Sequence, residues 1–342
     1  MTRSAYQRHR EELRRLIDRH LASIAAGGTD RNLRDACRYV LQGGGKRVRA
    51  ILALLACRAT GGSYRIALDA AAAIEILHNF TLVHDDIMDN ADSRRGRPTV
   101  HRKWDSNTAL LAGDVLIGKA YQVLLRSTQD VDGRISRLFT QGLLDVCEGQ
   151  ALDIALERQR RVSTAAYFQM IRKKTAALIA TAAELGGLLG GATPRERAAL
   201  RDFGIQLGTA FQVYDDVLDV VADSRNFGKT IGGDILERKR TFLLLRATAK
   251  ATGNDARMLK RLTRGNTHRA AWKKGDGHVT AAGRRIVQEV TAVYQRTGAL
   301  DDALVVVRRC TARALVSLAA LRPTHARTTL SLLAEDLVER KA

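Results

Sequence analysis

Residues 73–89 read AIEILHNFTLVHDDIMD, and this stretch decides how the rest of the chain is interpreted. Its first half is rich in alanine, isoleucine and leucine and contains no proline or glycine, so it predicts one long, largely buried helix ending near Asn90. Asp85 and Asp89 lie four residues apart and therefore share one face of that helix. Two carboxylates at a buried helix end repel each other unless a cation lies between them. The pair therefore indicates a metal site.

Arg94 and Arg95 follow this acidic pair within six residues. The cation best suited to bare carboxylates is Mg²⁺, which keeps several waters and completes its shell with substrate phosphates. Guanidinium groups bind phosphate through two parallel hydrogen bonds. Acids for a metal beside bases for phosphate indicate a substrate that carries a diphosphate.

The same arrangement returns at residues 211–219, FQVYDDVLD, where Asp215 and Asp219 are again four residues apart. Lys229 and Lys239 follow this second motif. A single acidic cluster is more often a solvated helix face than a metal site. Two copies, each within an apolar helix and each followed by basic residues, predict one site shared by two helices.

Three consecutive glycines, residues 43–45, precede Lys46 and Arg49 at the start of a very apolar helix. Exposed N–H groups, the helix dipole and nearby cations make such a helix start a good phosphate cradle. It is not a P-loop, because Val40 stands where the first glycine of that motif belongs and Arg47 follows the lysine. The alternative is an ordinary connection between two helices with exposed basic residues.

Lys174 and Thr175 lie within an otherwise apolar helical segment, residues 167–178. A buried lysine is costly unless an anion neutralises it. His78 lies seven residues before Asp85, two turns away on the same helix face. A lone histidine on an apolar helix is usually a core residue, so the residues alone assign it no role.

The composition favours one helical domain. The 342 residues include only three prolines and 5% aromatic residues, and no linker separates two compositions. Alternating runs of β-branched residues, which would predict strands, are scarce. We therefore expect a single all-α domain.

Together these motifs resemble the trans-isoprenyl diphosphate synthase (polyprenyl synthetase) family, from about Gly43 to the C-terminal helix. The resemblance implies an all-α, single-domain helical bundle of the isoprenoid synthase type, with residues 1–342 around a central active-site cavity. It also implies Mg²⁺-dependent prenyl transfer, in which an allylic diphosphate loses pyrophosphate and the resulting carbocation alkylates isopentenyl diphosphate. Three Mg²⁺ ions are expected per active site, with Mn²⁺ able to replace them.

The family's site residues carry over to matching positions of this chain. Metal ligands are expected at Asp85, Asp89, Asp215 and Asp219. Isopentenyl diphosphate is expected to bind Lys46, Arg49, His78 and Arg95, and the allylic diphosphate Arg94, Lys174, Lys229 and Lys239. Thr175 and Gln212 are expected to stabilise the carbocation. One stretch departs from the family pattern: residues 238–242 read RKRTF where the family has Gly-Lys-x-Thr-x-Pro, which leaves the backbone path at Lys239 open.

Phe80 and Thr81 bear on product length. Phe80 lies five residues before Asp85, about 7.5 Å along the helix axis, so its ring would stop a prenyl chain that grows along the helix. A phenylalanine here with a small neighbour resembles the short-chain synthases, which implies a C20 or C15 all-trans product such as geranylgeranyl diphosphate. The alternative is that Phe80 only fills the space between helices.

Two other functions fit part of the sequence. A class I terpene cyclase shares the fold and the first aspartate motif, but its second metal site reads N-D-x-x-S-x-x-x-E, unlike residues 215–219. A catalytically silent subunit should have lost aspartates that are present here. A basic nucleic-acid binder would account for the net charge of +20, yet the arginines are spread along the chain and no zinc-finger, homeodomain or RNP signature accompanies them. We expect no nucleic acid, and at most transient contact with a membrane surface where product is delivered.

The remaining expectations concern environment and assembly. Cys37, Cys57, Cys147 and Cys310 are far apart, which predicts buried free thiols in a reducing compartment. The N-terminal residues show no continuous apolar segment of signal-peptide type, so we expect a cytoplasmic protein. The family resemblance implies a homodimer. Residues 261–283 are rich in glycine, lysine and arginine and predict a surface loop.

Overall fold

The computed structural model describes residues 1–24, 30–126, 133–221, 232–264 and 279–338. The helices are α1 (Arg3–Ile24), α2 (Arg31–Leu41), α3 (Val48–Ala59), α4 (Tyr64–Met88), α5 (Val100–Lys103), α6 (Ser106–Leu124), α7 (Arg134–Arg158), α8 (Thr164–Ile171), α9 (Ala177–Leu189), α10 (Pro194–Val221), α11 (Gly233–Glu237), α12 (Phe242–Lys250), α13 (Gly253–Arg264), α14 (Ala281–Arg296), α15 (Ala299–Ser317) and α16 (His325–Val338). A π-helical turn, Arg172–Ala176, joins α8 to α9, and a 3₁₀ turn, Leu318–Ala320, follows α15. The all-α prediction is confirmed.

The helix predicted from residues 73–89 is α4, and it lies at the centre of the bundle. It begins earlier than predicted, at Tyr64, and ends at Met88, with Asn90 beyond it in the left-handed conformation at φ 49°. Ile74 and Leu77 are fully buried, because α3, α6 and α9 pack against α4. By length and composition α4 could cross a membrane, but 67% of its apolar window is buried inside the protein, as in a core helix.

Two clusters of buried apolar side chains form the core. One joins α1 to α4 with α6, α9 and the first half of α10, and the other joins α8, α12, α14 and α15 with the second half of α10. Helix α10 therefore runs through both clusters and brings the second aspartate motif to the place where they meet.

A short antiparallel hairpin, which the sequence did not predict, follows α4. Strand β1 (Ser93–Arg94) pairs with β2 (Arg97–Pro98), and the turn between them holds Arg95 at φ 55°. Tyr39 of α2 fixes this hairpin, since its hydroxyl donates to the carbonyl of Pro98 at 2.8 Å and the Arg97 guanidinium lies 3.8 Å above its ring. The two arginines after the first aspartate motif are thus carried on a fixed turn.

Arg47 is the buried member of the basic run after the three glycines. It lies at the start of α3 in the left-handed conformation, φ 50°, and its side chain is only 2% exposed. Its guanidinium donates to Asp18 at 2.8 Å, to Glu75 at 3.0 Å and to the carbonyl of Leu41 at 2.7 Å. One side chain therefore ties α1, α2 and α4 to the glycine loop.

Two predictions need correction. Cys37, Cys57 and Cys310 are buried as expected, but Cys147 on α7 is exposed. The loop predicted at residues 261–283 is wrong at both ends, because α13 continues to Arg264 and α14 begins at Ala281. The apolar residues near each end of the predicted loop have helical spacing, and packing of α13 and α14 is enough to stabilise a helix there. The middle of that prediction, residues 265–278, lies outside the described residues.

Arg238 stands at the position where the family pattern Gly-Lys-x-Thr-x-Pro has its glycine. It follows α11 with φ 59°, a conformation that glycine adopts freely but that costs other residues about 1–2 kcal/mol. Glycine loses about 0.5–1 kcal/mol more conformational entropy on folding. We therefore expect Arg238→Gly to raise the free energy of unfolding by about 0.5–1 kcal/mol, measured by urea denaturation. Arg240 does not have a positive φ, so Arg240→Gly should destabilise; a stabilising effect there would contradict the argument.

Candidate active site

A cavity of about 590 Å³ opens between the hairpin, α8 with its π turn, α10 and residues 232–241. Acidic and basic side chains lie close together on its wall. The predicted site residues on it are Asp89, Arg94, Arg95, Lys174, Thr175, Gln212, Asp215, Asp219 and Lys239. Residues from distant parts of the chain thus meet in one place, as the repeated motif predicts. Lys229 lies outside the described residues.

The first aspartate motif reaches the cavity through the end of α4. Asp89 is exposed on the cavity wall, whereas Asp85, one turn earlier, is half-buried. Burial, opposed by Lys174 and reinforced by the charge of Asp89, raises the pKa of Asp85 to about 6. A half-buried carboxylate with an acidic neighbour is stabilised in its charged form by a bound cation.

The middle aspartate of each motif, to which sequence reasoning gave no role, is buried, and in the second motif Asp219 is buried as well. The Oδ1 atom of Asp86 accepts from both Nε of Arg94 at 2.8 Å and Nη2 at 2.7 Å, and this ion pair holds the hairpin against α4. Asp216 accepts from the Tyr167 hydroxyl at 2.7 Å and from the Phe242 N–H at 3.0 Å. Burial raises the pKa of Asp216 to about 7. Adjacent aspartates point about 100° apart on a helix, so only one of each pair can face the cavity fully.

Asp219 has a second contact besides its place on the wall. Its Oδ2 accepts from the N–H of Asp234 at 3.1 Å, and its carbonyl accepts from the N–H of Gly232 at 2.7 Å. It therefore fixes the segment that carries Asp234 and Lys239 to the cavity. Sequence reasoning missed Asp234, which lies on the wall itself.

The donor set fits a magnesium ion. Within the part of the chain that the structure describes, no three Asp, Glu, His or Cys side chains converge closely enough to hold an ion alone. Mg²⁺ is usually bound by one or two carboxylates, with waters and substrate phosphates as its other ligands. The cavity carries aspartates from both motifs, together with lysine and arginine side chains. The aspartates supply that kind of partial coordination.

Two lysines of the cavity are held by carboxylates. Lys174 forms an ion pair with Asp153 of α7, and Lys239 lies 2.9 Å from Glu237 and 3.7 Å from Asp234. Sequence reasoning assigned no role to these carboxylates. The pairs fix the ammonium groups at the wall.

Thr175 and Gln212 form a bridge across the cavity from the π turn to α10. The Thr175 hydroxyl donates to Gln212 Oε1 at 2.9 Å, and the Gln212 amide donates to Asp216 at 3.3 Å. The π turn brings Lys174 and Thr175 to the wall, and it lies so close to α7 that a Cβ on Gly149 would be 2.1 Å from the backbone nitrogen of Lys174. Thr175 and Gln212 were predicted to stabilise the carbocation, but neither their hydrogen bond to each other nor the π turn was predicted.

A second group of cations lies at the three-glycine loop. Arg49 Nη1 donates to His78 Nε2 at 3.1 Å, and the Arg95 guanidinium donates to the carbonyl of Gly44. Burial, with Arg49 and Arg95 nearby, lowers the pKa of His78 well below its usual value, so the ring is neutral and accepts. Lys46 lies exposed at the same loop. The predicted residues for the second diphosphate are therefore brought together.

Arg49 and Arg95 carry a surplus of positive charge. Among the described residues, no carboxylate lies within 4.0 Å of either guanidinium, and the Nε of Arg49 is buried without a hydrogen-bond partner. Burial lowers the pKa of both groups, which indicates cations held partly out of water. Such a cluster favours an anion.

Arg240 is a further cation that sequence reasoning missed. It lies on the wall of the large cavity beside Lys239, and its Nε is buried without a partner. Its Nη2 donates to the carbonyl of Gln159 at 3.0 Å, which holds the side chain in place. The only signal for it in the sequence was its position next to a predicted lysine.

Phe80 and Thr81 lie apart from the polar wall. The Phe80 side chain is 6% exposed and does not line the large cavity, and its ring packs edge-on against His84 at a centroid distance of 4.9 Å. The Thr81 hydroxyl donates to the carbonyl of His78 at 2.8 Å. The two residues therefore lie within α4, one to two turns before Asp85, and not on the wall of the large cavity.

Comparison with known proteins finds relatives that match this chain over most of its length. The sequence model described as polyprenyl synthetase matches residues 30–275. A short chain isoprenyl diphosphate synthase of Methanothermobacter thermautotrophicus is 36% identical over 95% of this chain and 96% of its own length. A crystal structure of geranylgeranyl pyrophosphate synthase superposes with a TM-score of 0.89 at 34% identity, covering 97% of this chain and 99% of that chain. A decaprenyl diphosphate synthase from Rhodobacter capsulatus superposes with a TM-score of 0.85 at 29% identity, covering 99% of each chain.

The match of the family model over most of the chain, the full-length relative and the shared all-α fold lead to one conclusion. The chain belongs to the polyprenyl synthetase family of prenyltransferases.

Proposed function

We propose that the protein condenses isopentenyl diphosphate with allylic diphosphates to a short-chain, all-trans prenyl diphosphate, of 20 carbons or else 15. The observation that carries this proposal is the presence of two adjoining cationic places. One is the large cavity with its aspartates and lysines, and the other is the glycine loop with Arg49, neutral His78 and Arg95, which also reaches the cavity wall. Two diphosphate substrates need two such places, whereas a terpene cyclase binds one.

Asp85, Asp89, Asp215 and Asp219 are the residues that would hold Mg²⁺, three ions per site with Mn²⁺ able to replace them. When bound, the ions neutralise the leaving pyrophosphate. Arg94, Lys174 and Lys239, with Lys229, add fixed positive charge around the same leaving group. Arg240 is placed to add to this set, since it shares the wall with Lys239.

The residues of the site then act on the two substrates in turn. The allylic C–O bond breaks and its electron pair leaves with pyrophosphate, while Thr175 and Gln212 turn dipoles toward the allylic cation. Lys46, Arg49, His78 and Arg95 hold isopentenyl diphosphate so that its double bond lies near the cation and forms the new C–C bond. The departing pyrophosphate accepts the proton that is lost. Apolar residues such as Met170 and Ile171 on the wall help to exclude water, which would quench the cation.

Incubation with isopentenyl diphosphate and each allylic primer, followed by chromatography of the dephosphorylated products, tests this function. A ladder that ends at C15 or C20 supports it. Cyclic hydrocarbons formed from a single allylic diphosphate would support the cyclase alternative instead. No product in any combination, from a folded protein, would favour a silent subunit.

The assignment of the two substrates gives a kinetic prediction. Alanine at Lys46 or Arg49 should raise mainly the KM for isopentenyl diphosphate, because these cations lie at the glycine loop. Alanine at Lys174 or Lys239 should raise the KM for the allylic substrate and also lower kcat, because their charge stabilises the leaving group in the transition state. Steady-state kinetics with each substrate varied in turn measures the difference. Equal effects on both substrates would mean that the two sites are assigned wrongly.

The proposed function also gives a prediction for product length, which depends on Phe80. The fold itself does not set the length, since synthases of geranylgeranyl and decaprenyl diphosphate both superpose on this chain. If the Phe80 ring ends chain growth, Phe80→Ala should stay folded and release longer prenyl diphosphates. If the ring is only core, the same change should cost about 3–5 kcal/mol of stability without lengthening the product. Product chromatography with a thermal unfolding curve separates the two results.

We also propose a cytoplasmic homodimer with at most transient membrane contact. Leu110 and Leu111 on α6 and Leu144 on α7 are each at least half exposed, and in the proposed dimer a second copy covers these apolar side chains. Sedimentation of the purified chain measures the assembly, and a monomer at micromolar concentration would contradict it.

A further inference from the structure

The ring of Phe80 is held by one neighbour in particular. His84 lies one turn later on α4, and the two rings meet edge to face, with centroids 4.9 Å apart and planes at 75°. Aromatic rings prefer this arrangement, in which the edge of one faces the π surface of the other. The orientation of the Phe80 ring is therefore coupled to the position of His84.

His84 is itself fixed from α6. Its Nε2–H donates to the carbonyl of Leu110 at 3.1 Å. Gly113, one turn further along α6, lies directly against the imidazole: a Cβ built there would be 2.1 Å from Nε2 and 2.4 Å from Cδ2. No side chain fits at residue 113 while His84 stays in place, since real Cβ atoms never approach so closely.

We propose that His84 is a positioning residue for product length: it holds the Phe80 ring where that ring ends chain growth, and Gly113 leaves the space that His84 occupies. This inference rests on the proposed function, in which Phe80 limits the prenyl chain. Without the imidazole, the phenylalanine ring gains the space between α4 and α6 and swings aside, so that a growing chain passes it. His84 acts through Phe80 and touches no reacting atom.

The test compares three variants by the chain length of their products: Phe80→Ala, His84→Ala and the double variant. Phe80→Ala should lengthen the products, and His84→Ala should lengthen part of them. The double variant should match Phe80→Ala, because a residue that acts through Phe80 has no effect once the ring is gone. The rate of the first condensation should stay within about threefold of wild type in His84→Ala, since His84 is not among the residues that line the large cavity. Met88→Ala, an exposed truncation on the same helix, is the control for general disturbance next to the aspartates.

A second set of variants examines the contact with α6. Gly113→Ala should lower the melting temperature and lengthen part of the products, because the added methyl displaces His84. The pair Gly113→Ala with His84→Ala should recover part of the lost stability, since the methyl then fills the space that the imidazole left. If His84→Ala does not fold, His84→Gln keeps a donor for Leu110 without a ring, and the same lengthening is expected.

The outcomes separate this inference from the function on which it rests. Longer products from Phe80→Ala together with unchanged products from folded His84→Ala would overturn the role of His84 and leave the proposed function intact. Unchanged products from folded Phe80→Ala would overturn the roles of both Phe80 and His84 in product length, while the condensation itself would stand. Further lengthening in the double variant, beyond Phe80→Ala, would mean that His84 limits the chain directly and would also overturn the positioning role.

Discussion

Replacing Asp85 by alanine is expected to lower kcat by about two powers of ten or more, and Asp215→Ala should have an effect of similar size. In the proposed function each carboxylate helps to hold the cations that neutralise the leaving pyrophosphate, and such charge stabilisation is worth several kcal/mol in the transition state. The wild-type enzyme should likewise lose turnover in excess chelator and recover it with Mg²⁺ or Mn²⁺. Steady-state rates at saturating substrate measure all three effects.

Asp202 provides the matched control. It lies exposed on α10, the helix that carries Asp215, but far from the cavity wall. Asp202→Ala should therefore leave kcat unchanged. Full turnover in excess chelator, or an active variant lacking both Asp85 and Asp215, would refute the metal assignment.

Arg47→Ala is expected to remove about 3–5 kcal/mol of stability. The change leaves the Glu75 carboxylate, 3% exposed, buried without its partner, and an uncompensated buried charge carries a cost of that size. It also takes the donor away from the carbonyl of Leu41. Thermal or urea unfolding measures the loss, and an unchanged unfolding midpoint would contradict it.

A double variant and a surface variant sharpen this prediction. Arg47→Met with Glu75→Leu removes both charges and should recover most of the stability, since apolar replacement of a buried pair is often neutral. Arg15→Ala, on the exposed face of α1, should leave the midpoint near that of wild type. A double variant as unstable as Arg47→Ala would mean that the arginine acts mainly through its bonds to Asp18 and Leu41.

The sequence predicts the fold and the two motifs because both depend on local spacing. Four-residue spacing places Asp85 with Asp89 on one face wherever the helix packs, and three glycines before a basic helix start bring exposed N–H groups close to cations. The structure brings nearly all of the described candidates to the cavity or to the glycine loop. Their roles in binding and catalysis stay predictions.

What the sequence could not predict depends on partners from distant segments. The run of Lys46, Arg47 and Arg49 does not reveal that Arg47 is the buried one, because Asp18 and Glu75 lie far away in the chain. The contact of His84 with Gly113 depends on how closely α6 approaches α4, which helical periodicity does not encode. Periodicity also fails at Arg172–Ala176, where the helix makes one wider turn.

That π turn has a consequence for how this protein can vary over evolutionary time. A π turn holds one residue more than an α-helical turn, so it is a single-residue insertion kept within a helix. Deleting one residue from the segment would hardly change its composition, yet it would rotate Lys174 and Thr175 by about 100° relative to the apolar helix that follows. Substitutions in this segment are therefore far easier to tolerate than changes in its length. In a homologue, an alignment gap at these five residues would mark the loss of the polar bridge to α10 even where every charged residue survives.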